Sequence, residues 1–123
     1  MKKDIRNKKD IEKLVDTFFE KVKTDVVIGY LFNDVAQVNW DNLLPKMYDF
    51  WENILFHNGN YDGNPMYIHQ ELHRKSALKQ QHFNHWLVLF TTTIDDLFSG
   101  TKAEEIKERA ANIANALMIK TLT

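Results

Sequence analysis

Apolar residues recur three and four positions apart along most of this chain, the spacing that turns one side of a helix toward a core. Ile11, Leu14, Val15, Phe18, Phe19 and Val22 form the first such stripe and predict a helix over about 8–23. The run "DVVIGYLF", which ends at Asn33-Asp34, predicts a short helix, with Gly29 marking a bend where two elements meet closely. Trp40, Leu43, Leu44, Met47, Phe50, Trp51, Ile54 and Leu55 make a longer stripe, in which Pro45 is tolerated only within the first turn or two. "HNGNYDGNP" then breaks the pattern and reads as a surface loop. A weakly specified helical segment with His69 and His73 follows. From Leu78 to Phe98 the stripe returns as Phe83, Trp86, Leu87, Phe90, Ile94 and Leu97, and Ser99-Gly100 supplies a stop. "TKAE" reads as a capping box, Thr101 toward Glu104, opening a last helix whose face is Ala103, Ile106, Ala110, Ile113, Ala114 and Leu117. Neither period-two alternation nor an internal repeat is present, so the expected class is all-α.

A length of 123 residues suits one core, and a single domain over 1–123 is expected. Eight Phe, four Tyr and three Trp are many for that length, and they must line either a tight core or a pocket for something large and flat. The net charge of −1 gives no field to gather nucleic acid. No stretch approaches the roughly 18–20 apolar residues of a membrane span, and the basic start "MKKDIRNKK" lacks the apolar run of a signal peptide. The chain therefore reads as cytoplasmic. With no Cys, disulfides, thiolate metal sites and cysteine nucleophiles drop out together.

Four of the five histidines form pairs at helical spacing, His69 with His73 and His82 with His85. "HQELH" is not a zinc-protease signature, since its glutamate stands third rather than second, and it is not the inverted form either. A closed zinc site would want four ligands, and a di-iron bundle a second Glu-x-x-His with more inward glutamates. Beside Glu71, Arg74 and Lys75, either histidine could equally be a solvated polar side chain. Ser76 and Ser99 both sit at predicted helix ends, where capping is the expected role. No glycine-rich phosphate loop occurs. A haem asks for less than these sites do: a flat apolar slot and one imidazole beneath the iron. Phe18, Phe19, Phe32, Trp51 and Trp86 could wall such a slot, with one histidine approaching from the other side.

Several short motifs then carry a more specific resemblance. "FFEKV" in the first helix, "LF" at 31–32, "FW" at 50–51, "YDGNP" with a histidine four residues after the proline, and "HFNHWLVLF" together resemble the truncated haemoglobins of group III. The likeness runs from about Ile11 to the last helix without large gaps. It implies a two-over-two globin with a long loop before the proximal histidine, binding haem b. By position, the resemblance makes His69 the iron ligand and Phe32 the ring against the macrocycle. Trp86 becomes the distal tryptophan facing a bound ligand, and Trp51 and Phe18 pocket aromatics. His73 and Arg74 fall where they would meet a propionate, and Met47 joins the pocket lining one turn after Leu43. His82 and His85 revert to a buried hydrogen-bonded side chain and a surface one.

Two positions depart from the family's pattern. Phe19 stands where a tyrosine is common, and Leu43 where a polar residue or histidine often lies, so the distal pocket is expected to be apolar with Trp86 as its main donor. Tyr30 or Tyr48 could restore a donor by turning inward. The resemblance implies reversible binding of a small gaseous ligand (O2, CO or NO), with an electron-donating reductase as the further partner. Whether the role is that of a carrier, sensor or scavenger, or of an enzyme acting on nitric oxide or peroxide, stays open at this point. A haem-free helical interaction module is the competing reading from a different class. Leu43 cannot ligate iron, so the reduced, unligated protein is expected to be five-coordinate. A low-spin optical spectrum of the ferrous form would contradict this.

Overall fold

The computed structural model describes residues 2–31, 39–56 and 79–122. Phe32 and the segment that holds His69, His73 and Arg74 lie outside the described residues, as does the predicted loop before them. Four helices are described: α1 (Lys8–Lys23), α2 (Trp40–Phe56), α3 (Gln80–Leu97) and α4 (Thr101–Leu122). Among the described residues there is no strand, and no helix is long and apolar enough to cross a membrane. α1 packs on α2 and α3 on α4, and the two pairs meet through α1 with α3 and α2 with α4. This is the two-over-two arrangement that the family resemblance implies.

α1 begins and ends where its stripe does. Asn7 caps it by accepting from the Asp10 backbone N–H at 3.1 Å, while Asp10 returns the contact by accepting from Arg6 N–H at 2.8 Å. All six apolar positions of the stripe are buried. The chain then turns through 24–31, where an added Cβ on Gly29 would lie 2.7 Å from the Val22 carbonyl oxygen. Only a glycine lets the turn fold that tightly against the end of α1, as the bend in the sequence suggested. In α2, Pro45 is the sixth residue, so its missing N–H falls in the second turn of the helix. Trp51 and Leu55 are its fully buried residues, and the rest of its stripe is half-buried. α4 buries Ala103, Ile106, Ala110, Ala114 and Leu117; its small alanines let the helix lie close to its neighbours.

Two expectations about helix ends are corrected. α3 starts at Gln80 with an extended Lys79 as its N-cap, later than the predicted 78. Thr101 is already the first residue of α4, so a box from Thr101 to Glu104 is not what caps it. Asp4 does so from the other end of the chain: its carboxylate accepts from Lys102 N–H at 2.9 Å and Ala103 N–H at 2.8 Å. Gly100 makes room for this. It has φ of +144°, and a Cβ there would fall 2.5 Å from Asp4 Cγ. Neighbouring contacts lash the N-terminal segment across the α3–α4 corner: Ser99 N–H donates to the Lys3 carbonyl at 3.0 Å, and Ile5 is buried. Ser99 therefore serves through its backbone rather than as the predicted side-chain cap.

Burial alone would raise the Asp4 pKa, but the three backbone N–H donors of Lys102, Ala103 and Ile5, with the Lys102 charge, outweigh it and hold it below the usual carboxylate range. A depressed carboxyl pKa stabilises the fold fully above the unfolded value, and that stability is lost as pH falls through the folded value. Asp4→Ala is expected to cost about 1 kcal/mol at neutral pH, with the deficit shrinking as acid protonates the natural residue. Urea denaturation at neutral and acid pH measures both. Equal midpoints for the two chains at neutral pH would refute the capping role.

Candidate functional site

Of the aromatic residues picked out in the sequence, Phe18, Phe19, Trp51 and Trp86 converge where α1, α2 and α3 meet. Phe90 of α3 lies between two indoles: Trp51 stacks on it at 4.8 Å between centroids and 25° between planes, and Trp86 at 5.3 Å and 11°. Phe18 from α1 meets Phe90 and Trp86 edge-on, at 5.0 and 5.8 Å. Offset and edge-on rings add roughly 0.5–1.5 kcal/mol each beyond the area they bury. The sequence puts these residues there by simple spacing. Trp86 and Phe90 are one turn apart on α3, and Trp51 lies one turn after Met47 and two after Leu43 on α2.

Burial is uneven around these rings. Phe18, Trp51 and Phe90 are almost fully enclosed, whereas Leu43, Leu44, Met47 and Phe50 on α2 and Trp86 and Leu87 on α3 are half-buried against them. Two helices thus carry half-buried apolar side chains packed against this aromatic cluster. Among the described residues His82 and Thr93 are the only buried polar side chains, and the Thr93 hydroxyl is spent on the Leu89 carbonyl at 2.7 Å. Such a lining suits a flat apolar group and offers nothing to a bare metal ion. No group of three or more His, Cys, Asp or Glu that could hold one occurs among the described residues.

The donors near this surface can be followed one by one. Phe19 is buried, its ring 4.9 Å from Phe18 and 5.4 Å from Trp40, and Lys23 lies over the same Trp40 ring. Phe19 and Leu43 provide no polar atom. Tyr48 does not turn inward: its hydroxyl donates to Asp16 on α1, and burial together with that carboxylate pushes the phenol pKa up. Tyr30 is 39% exposed and sets its ring edge toward His82. The Trp86 indole N–H makes no hydrogen bond among the described residues.

His82 and His85 separate, although their spacing puts them on one helix face. His82 is buried, and its Nδ1 accepts from the Lys79 backbone N–H at 2.8 Å; burial, aided by the Lys79 charge, pushes its pKa down. His85 is not the surface residue expected. It is half-buried, with Nε2 at 2.7 Å from Asp25 Oδ2. That contact was invisible in the sequence, because its partner lies sixty residues away.

Comparison with known proteins fits this geometry. The model of the bacterial-like globin family matches residues 3–119. The group 3 truncated hemoglobin ctb of Campylobacter jejuni is 30% identical over 118 residues, an alignment that covers 94% of this chain and 91% of that protein. A crystal structure of the group III truncated hemoglobin from Campylobacter jejuni superposes with a TM-score of 0.84 at 29% identity, covering 97% of this chain and 94% of that one.

The burial gradient makes a prediction about stability. Phe90→Ala removes the ring that both indoles lie on and is expected to cost about 3–5 kcal/mol, while Trp86→Phe, at the open edge, stays under about 1.5 kcal/mol. Denaturant midpoints compare the two, and similar losses would contradict the described packing.

Proposed function

Because the chain belongs to the bacterial-like globins and, within them, to the group III truncated haemoglobins, we propose that it holds one haem b and reversibly binds a small gas beside α1, α2 and α3. When bound, haem supplies an iron with an open axial position for a diatomic ligand. His69 would hold that iron from the proximal side, with Phe32, Met47 and Trp51 against the macrocycle and His73 and Arg74 at its charged edge. On the distal side stand Phe18, Phe19, Leu43, Met47 and Trp86. The observation that carries this reading is the half-buried apolar row of Leu43, Met47 and Trp86 over the Trp51–Phe90 floor. A flat hydrophobic group would cover that surface, which water wets poorly.

The pocket's polarity follows from its residues. Phe19 and Leu43 cannot donate a hydrogen bond, and the Tyr48 hydroxyl is committed to Asp16. The Trp86 indole is the donor that remains on this side. A gas that takes up electron density, as O2 does, is stabilised by each donor it meets, whereas CO takes up less charge and responds less. The pocket is thus built to let O2 go readily. Among the described residues it offers no second polar group that would help break an O–O bond, which favours ligand binding over peroxide chemistry.

Restoring a hydroxyl tests this. A hydrogen bond to a charged acceptor contributes ~1.5–3 kcal/mol, which corresponds to roughly a ten- to hundredfold change in affinity. Phe19→Tyr is expected to slow O2 dissociation by that factor in stopped-flow measurements while changing CO release much less. An unchanged O2 off-rate would overturn the account of the distal pocket.

A further inference from the structure

The first turns of α3 carry Trp86, and the buried His82 and Phe83 seat them against the core. Their N-cap is Lys79, whose side chain has only donors and cannot accept from the free N–H groups of the helix. His82 turns back to take the Lys79 N–H, which tightens the turn, and its ring meets that of Tyr30. His85 adds a directional polar tie to the end of α1, its Nε2 meeting Asp25 Oδ2 at 2.7 Å.

Asp25 is itself firmly set. Its Oδ1 accepts from Val27 N–H at 2.8 Å and Ile28 N–H at 3.0 Å, and its backbone carbonyl accepts from Gly29 N–H at 3.0 Å. Gly29 in turn is pressed against the last carbonyls of α1. One carboxylate therefore joins the end of α1, the turn that runs toward Phe32, and α3. Burial would raise the Asp25 pKa, but His85 and the two backbone donors outweigh it, so the group stays ionised and a strong acceptor.

Successive helix residues point about 100° apart, so His85 and Trp86 leave α3 in different directions. His85 reaches the turn after α1, and Trp86 lies on Phe90 with the edge of Phe18 beside it. Ring stacking restrains the tilt of the indole. Phe90 belongs to the same helix, so this stack sets the indole relative to α3 itself. The hydrogen bond of the adjacent residue sets that part of α3 relative to the turn after α1.

We propose that His85 is the positioning residue for Trp86: its hydrogen bond to Asp25 fixes the register of the first turns of α3 and so the direction in which the indole N–H faces a bound gas. The inference rests on Trp86 being the distal donor, and the experiment separates the two. The readout is the C–O stretching band of carbon monoxide added to the reduced haem-loaded protein, which falls in wavenumber when a donor points at the ligand. O2 release is followed in parallel.

His85→Leu is expected to raise the band as far as Trp86→Phe does and to speed O2 release about tenfold, the effect of losing one hydrogen bond. His85→Gln keeps a donor of similar reach and is expected to bring both readouts back toward those of the natural chain. Asp25→Ser keeps a short acceptor for the turn but cannot reach His85, and it should repeat the shift even if His85→Leu folds poorly. If Trp86→Phe leaves the band in place, the donor reading itself fails. If Trp86→Phe moves the band but His85→Leu and Asp25→Ser do not, the positioning role is overturned while the donor reading stands. A drop in Tm with an unmoved band likewise overturns the positioning role and leaves His85 a purely structural residue.

Discussion

The face-to-face packing of Trp51, Phe90 and Trp86, closed at its edge by Phe18, fixes where three helices meet. Each ring comes from an amphipathic stripe, and together they set the separation of α1, α2 and α3 at one point. Against that point pack half-buried apolar side chains on α2 and α3. The site proposed for a flat apolar group thus draws on residues that also hold the fold together. Position differs within the set: Phe90 and Trp51 are almost fully enclosed, and Trp86 is half-buried.

The polar groups around this centre are directed away from it. Tyr48 turns to Asp16 and His82 to its own helix end. His85 turns to Asp25. Each pairing satisfies a group that would be costly to bury alone, and each ties a polar group to a partner outside the ring cluster. The Trp86 indole N–H makes no hydrogen bond among the described residues. The chemistry of the pocket therefore depends as much on where hydroxyls and imidazoles are tied down outside it as on the rings that line it.

How much of this was legible in the sequence depended on the distance over which each contact acts. Ile11, Leu14, Val15, Phe18, Phe19 and Val22 read out α1 to the residue, because a local stripe decides the burial of a surface helix. The close approach at Gly29 was legible for the same reason. The cap of α4 was not: "TKAE" has the form of a local box, but Asp4 reaches those N–H groups across the whole chain, and no local pattern encodes a partner so remote. His82 and His85 show the same limit, since helical spacing sets which face they share but not which partner each finds. Of the residues that the resemblance assigns to the site, Phe18, Phe19, Trp51 and Trp86 belong to one cluster of rings, and Leu43 and Met47 are half-buried against the core. Phe32, His69, His73 and Arg74 lie outside the described residues, so their roles rest on the family resemblance.

Everything proposed about gas binding requires one imidazole on iron, and this can be measured directly. The chain is purified after expression with ample haem supply, and the Soret absorbance per protein is compared for the natural chain, His69→Gly and His73→Ala. The account predicts a strongly coloured natural protein, loss of its five-coordinate histidine-ligated spectrum in His69→Gly, and its retention in His73→Ala. A colourless natural chain whose helicity ignores added haemin, or an unaltered spectrum after removal of His69, would contradict it.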